Sequence, residues 1–171
     1  MNTKSLRNYT ALFLAILGYF LFHEGAHWVY AICLGSFKQI NFIGIGVQID
    51  IYRELMSDVQ LGIFCLVASV VTLVIGYTLL AFTNRFILFQ SVMLRAVVYY
   101  FTLTLLLVDP LYLSVLSFFV GGGDMNGISL IFPEMVVRVV SGLIVVINSL
   151  IVLKVIVPKY RQAFQKTIEI K

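Results

Sequence analysis

Charge is what this chain is short of. Of its 171 residues only 12% are Asp, Glu, Lys or Arg, about half the share of a soluble domain. In contrast, 61% are hydrophobic and the mean hydropathy is +1.02. This balance excludes a water-soluble globule. It also excludes disorder, which needs low hydrophobicity and high net charge. Cysteine is scarce as well: Cys33 and Cys65 make no CxxC pair. A disulfide framework and a zinc knuckle are thereby excluded, and both residues read as buried small hydrophobes. Repeats, low-complexity tracts and linkers are missing, so residues 1–171 read as one domain. The net charge of +4 would point to nucleic acid in a soluble protein. In so apolar a chain it reads as basic loops on the cytoplasmic side, and no nucleic-acid partner is expected.

What is present is a set of long uncharged runs. A helix crossing a bilayer needs ~20 apolar residues. From Asn8 to Phe37 the only charge is Glu24, from Val59 to Asn84 there is none, and from Ala96 to Gly123 there is only Asp109. A fourth run from about Glu134 to Val157 is closed by Pro158. The expected fold is therefore an all-α membrane bundle of four helices, at about 9–34, 58–83, 96–120 and 135–157. Residues 40–51 partly alternate apolar with polar or glycine and are rich in β-branched side chains. They predict one or two strands, or a hairpin, lying at the interface or against protein. With the N-terminus cytoplasmic, nine basic residues fall inside and three outside. Both termini are thus expected in the cytoplasm.

The chemistry is concentrated in His23-Glu24-Gly25-Ala26-His27, which holds the only two histidines. Residues four apart on a helix differ by ~40° in direction and ~6 Å in height, so both imidazoles can bind one Zn²⁺. Glu24, ~100° round from His23, can sit beside the metal without ligating it and act as general base for a water there. Ionisable groups inside a membrane are costly and point to function by default. Trp28 reads as a packing or interfacial aromatic.

A catalytic zinc has three protein ligands and an open position. With no third histidine, the remaining ligand should be a carboxylate. Asp50, Glu54 and Asp58 read as solvated, Glu169 lies in the tail, and Glu134 reads as a helix-start charge after Pro133. Asp109 and Asp124 remain. His23 and Asp109 each lie 14 residues into their helices, from Tyr9 and Arg95, hence at similar depth, which slightly favours Asp109. Asp124 reaches the site only if the glycine-rich segment 121–127 folds back. Both could serve, one as ligand and one supporting a ligand.

An HExxH inside a membrane helix with a distant aspartate resembles the site-2-protease family of intramembrane zinc metalloproteases. The matching residues are His23, Glu24 and His27. The family's usual Asn-x-x-Pro-x-x-Pro-x-Asp-Gly run is absent. Val108-Asp109-Pro110 and Gly123-Asp124-Met125 are instead similar to the aspartate pair of the compact branch called peptidase M50B-like. The resemblance implies zinc held by His23, His27 and an aspartate, with Glu24 as base. It also implies that the β-segment, including Gly44 and Gly46, holds an extended substrate. The expected reaction is hydrolysis of a peptide bond in a membrane-embedded or juxtamembrane substrate, with zinc and a polar side chain such as Asn126 stabilising the carbonyl oxygen. The rival expectation is a membrane metal-binding, transport or scaffold protein that uses the same His/Asp site without catalysis. A transporter should spread polar residues along several helices, whereas here the ionisable groups gather at one level.

Overall fold

The computed structural model describes residues 3–43 and 46–169. Helix α1 (Thr3–Cys33) comes first, followed by strands β1 (Phe37–Ile43) and β2 (Gly46–Ile51). Helices α2 (Asp58–Ala81), α3 (Thr83–Phe86), α4 (Val92–Leu111), α5 (Ser117–Val120) and α6 (Gly123–Ile128) follow. The chain closes with α7 (Glu134–Ile151) and α8 (Val157–Glu169). Single π turns at Tyr112–Leu116 and Val152–Ile156 join α4 to α5 and α7 to α8. Four rods are long and apolar enough to cross a membrane: Ser5–Cys33, Asp58–Ala81, Val92–Val120 and Glu134–Gln165. Much of their outer surface is large and apolar, including Phe13, Leu21, Val74, Phe119 and Leu143. In water so large an apolar surface would be a liability; a bilayer suits it.

The expected four-helix architecture is observed, with differences at two ends. The first rod starts earlier than residue 9, and the last runs through Pro158 to Glu169. A helix-internal proline removes one backbone donor and crowds the preceding turn. The π turn just before Pro158 widens that turn, and the helix continues. At Pro110 the remedy comes from another helix. The missing N–H frees the carbonyl of Leu106, and the buried Asn148 of α7 donates to it from Nδ2 at 2.6 Å. Tyr77 of α2 donates to Asn148 Oδ1 at 2.6 Å, so one amide ties three helices together.

Small residues set how closely the rods approach. Helix α1 buries Ala11, Ala15, Tyr19, His23, His27 and Ala31, one every four residues. Helix α2 buries Gly62, Cys65, Ala68, Ser69, Thr72 and Gly76. A Cβ at Gly76 would lie 3.0–3.2 Å from Leu105 and Leu106 of α4, so these backbones are nearly in contact. Ser57 and Gln60 form a capping box that starts α2. Cys65 is buried as expected. Cys33 is exposed, a correction: it lies two positions past Ala31 and so ~200° round the helix from the packed stripe.

The strands pair antiparallel, with Ile40 opposite Ile49 and Phe42 opposite Val47. Side chains alternate between faces along a strand. One hairpin face therefore carries Ile40, Phe42, Val47 and Ile49, and the other Gln39, Asn41, Gln48 and Asp50. Ile40, Val47 and Ile49 of the apolar face lie opposite α1 across a cavity, and Phe42 is exposed. Lys38 and Asp50 form an ion pair at 3.1 Å outside the spans. This pairing holds the Asp50 carboxyl below the usual carboxylate range and raises the Lys38 ammonium.

Candidate metal centre

The HExxH segment lies in mid-helix on α1. Its packed stripe turns both imidazoles inward, His23 8% and His27 4% exposed, with ring centroids 5.0 Å apart. Each Nδ1 has a partner on a neighbouring rod. His27 Nδ1 lies 2.8 Å from the Phe64 carbonyl of α2. A carbonyl only accepts, so this nitrogen carries the proton and Nε2 keeps a lone pair. His23 Nδ1 is 3.1 Å from Asp109 Oδ1 on α4. Both Nε2 atoms therefore face the same space.

Asp124 closes that space. Its Oδ2 lies 3.4 Å from His23 Nε2 and its Oδ1 3.5 Å from His27 Nε2. These separations are long for an N–H···O bond, normally about 2.7–3.2 Å. They match the spacing of neighbouring ligands around a tetrahedral ion, roughly 3.3–3.4 Å for bonds of ~2.0–2.1 Å. Among the described residues His23, His27 and Asp124 form a group able to hold one metal ion, with their donor atoms within 4.8 Å of one another. Two imidazole nitrogens and a carboxylate suit zinc chemically.

Asp124 arrives because the chain re-enters the bundle. Gly121, at φ +91°, ends α5 in a conformation that disfavours a side chain. The six-residue helix α6 then packs on α2. A Cβ at Gly127 would run into Cys65 Sγ, and one at Gly62 would come within 2.8 Å of Ile131. Glycine on both sides of this contact permits the approach.

The structure places Asp124, and not the slightly preferred Asp109, in the group that could hold an ion. The depth of Asp109 matches His23 as expected, but it meets Nδ1, on the side away from Asp124. Asp109 is 1% exposed and engaged at both oxygens: Tyr19 OH bonds Oδ1 at 2.5 Å and Thr72 Oγ1 bonds Oδ2. A carboxylate so placed can fix the orientation and tautomer of His23. The hydroxyls that meet Asp109 are those of Tyr19 and Thr72, and Tyr112 lies elsewhere. The Tyr112 hydroxyl donates to the Gly121 carbonyl at 2.9 Å. Tyr19, Thr72 and the Phe64 carbonyl were absent from the sequence reading. Only Tyr19 had a signal, its position four residues before His23.

Glu24 is half-buried beside the cluster without belonging to it. Val47 and Ile49 of β2 line the same cavity as Glu24, and β2 has one edge that no strand covers among the described residues. Asn126 is exposed, its side chain beside Gly122. It stands two positions and ~200° round α6 from Asp124, so the structure does not bring it to the cluster. Gly46 opens β2 opposite Ile43; Gly44 lies outside the described residues. No family model matches the chain, and no curated protein or solved structure matches it either.

Proposed function

We propose that the chain is a zinc-dependent intramembrane protease of the site-2 type, cutting a peptide segment within or beside the bilayer. The observation that carries this reading is the convergence of both Nε2 atoms on Asp124 at ligand spacing, with each Nδ1 held from behind. His23, His27 and Asp124 would hold the ion, and Asp109 keeps His23 oriented through Nδ1. Zinc bound there supplies a Lewis acid that lowers the pKa of water and polarises a carbonyl. Glu24, beside the ligands and outside their set, takes the proton from the attacking water and passes it to the leaving amine.

A helical substrate hides its carbonyls in its own hydrogen bonds and must unwind before attack. In lipid the freed backbone groups need new partners. The free edge of β2 offers them, next to Glu24, by strand addition. The basic side chains Arg7, Arg95 and Lys159 gather at one end of the bundle, where Arg7 and Arg95 flank the Phe164 ring at 5.5 and 5.6 Å and Lys159 meets Asn84. On the charge rule this end, with both termini, is cytoplasmic.

The test is metal analysis and cleavage of single-span peptides by purified protein in vesicles. Glu24→Gln should retain zinc and lose activity by ~10²–10⁴-fold, whereas His27→Ala should lose zinc. Zinc binding without cleavage by wild type, or equal cleavage by Glu24→Gln, would favour the non-enzymatic ion site.

A further inference from the structure

Outside the metal centre, the main feature on the Glu24 side of α1 is a cavity of about 330 Å³, at the small end of the ~300–1,000 Å³ range of ligand pockets. Leu21, Glu24, Gly25 and Trp28 form its floor on α1, and Val47 and Ile49 of β2 form its roof. Glu24 supplies its one charged group. Leu21, 71% exposed, and Trp28, 42% exposed, leave it open along the outer face of α1, where a bilayer would lie. The α1 residues recur at three- and four-residue intervals on one face. Glu24 stands at the border between that face and the histidine stripe, so the cavity adjoins the metal centre through the proposed base alone.

We infer that this cavity selects the substrate: it takes a large apolar side chain, of the size of Leu or Phe, from the residue next to the scissile bond, with Gly25 setting its depth. The inference rests on the protease reading. A segment added along β2 alternates its side chains between faces. The face toward α1 is the one on which Val47 and Ile49 already lie. A side chain directed there enters an apolar chamber touching Glu24, so its own carbonyl or the next one stands at the metal. Gly25 is the control point because a Cβ built there meets nothing within 4 Å. A side chain at 25 would grow into the cavity without displacing the backbone.

The experiment uses full-length protein in phosphatidylcholine vesicles and single-span peptides carrying one Ala, Leu, Phe or Trp at successive positions. Cut sites are mapped by mass spectrometry. Wild type should cut next to Leu or Phe at least tenfold faster than next to Ala. Gly25→Leu should reduce that preference at least tenfold, and Leu21→Ala, which widens the cavity at an exposed position, should shift it toward Trp. Zinc content reports that each variant folds. A second readout needs no catalysis: a benzophenone-bearing peptide should crosslink the Glu24→Gln protein at Leu21, Trp28 or Val47, and Gly25→Leu should abolish the crosslink. Cleavage without size preference, or preference unchanged in Gly25→Leu, overturns the pocket and leaves the protease reading standing. A crosslink at these residues that Gly25→Leu abolishes, with no cleavage by wild type, overturns the protease reading and supports the pocket as a binding site for an apolar segment. Neither cleavage nor crosslink overturns both.

Discussion

The two candidate aspartates occupy opposite kinds of site. Asp109 sits in the middle of a long rod, fully buried, with Tyr19, Thr72 and His23 Nδ1 around it. Asp124 sits on a six-residue helix, partly open, facing two imidazole lone-pair positions at distances too long for good hydrogen bonds. Firm burial is the usual mark of a rigidly held ligand. Asp109 shows the reverse: Tyr19, Thr72 and His23 Nδ1 already occupy three of its lone-pair sites, and it lies outside the group that could hold an ion. Asp124 keeps its lone pairs free because the segment that carries it is held by backbone contact, glycine against α2, and not by bonds to its carboxylate.

The strongest way to break this contrast is to neutralise each aspartate. Asp124→Asn removes a ligand charge and should weaken zinc affinity by more than ~100-fold. Asp109→Asn disturbs the orientation of His23 and should cost roughly 10–100-fold. Competition with a chelator measures both, and the reverse order would return the ligand role to Asp109. Next comes the support of α6. Gly127→Val drives a side chain into Cys65 and should push Asp124 out of reach, so that zinc is lost while helix content by circular dichroism persists. Bound zinc at wild-type affinity would show that α6 does not depend on this contact. Tyr19→Phe sharpens the other side. It removes a hydrogen bond to a charged group, worth about 1.5–3 kcal/mol of stability, and should lower the melting temperature while zinc stays bound.

The smallest effect concerns the hairpin, which touches neither aspartate. Lys38 holds the Asp50 carboxyl below its ordinary range, so the contribution of this pair is complete above the unfolded carboxylate pKa. It fades as pH falls through the lower folded value. At the alkaline side the raised Lys38 ammonium loses the contribution as pH rises through its folded pKa. Protection factors of the β1 and β2 amides, exchange rates corrected for their intrinsic pH dependence, should therefore fall slightly at acid pH, and Asp50→Asn should remove that fall. An unchanged profile in the variant would show that the pair does not secure the hairpin.

Much of this protein could be read without its structure, and the reasons are physical. The spacing of charges along an apolar chain sets how many helices can cross a bilayer, since nothing else solvates a charge there. Alternation in residues 40–51 foretold the hairpin because strand side chains repeat every two residues. The geometry of one helix fixes where His23, Glu24 and His27 point relative to one another, so the candidate donors and base were legible from five letters. Tertiary structure alone decided what those letters meet. That Gly121 reverses the chain, that Gly127 lies against Cys65 and brings Asp124 home, and that Tyr19 and Thr72 claim Asp109 all depend on contacts between segments far apart in sequence. Local periodicity carries no record of such contacts: a carboxylate in an apolar helix looks the same on the page whether its lone pairs are spent on hydroxyls or left free for a metal.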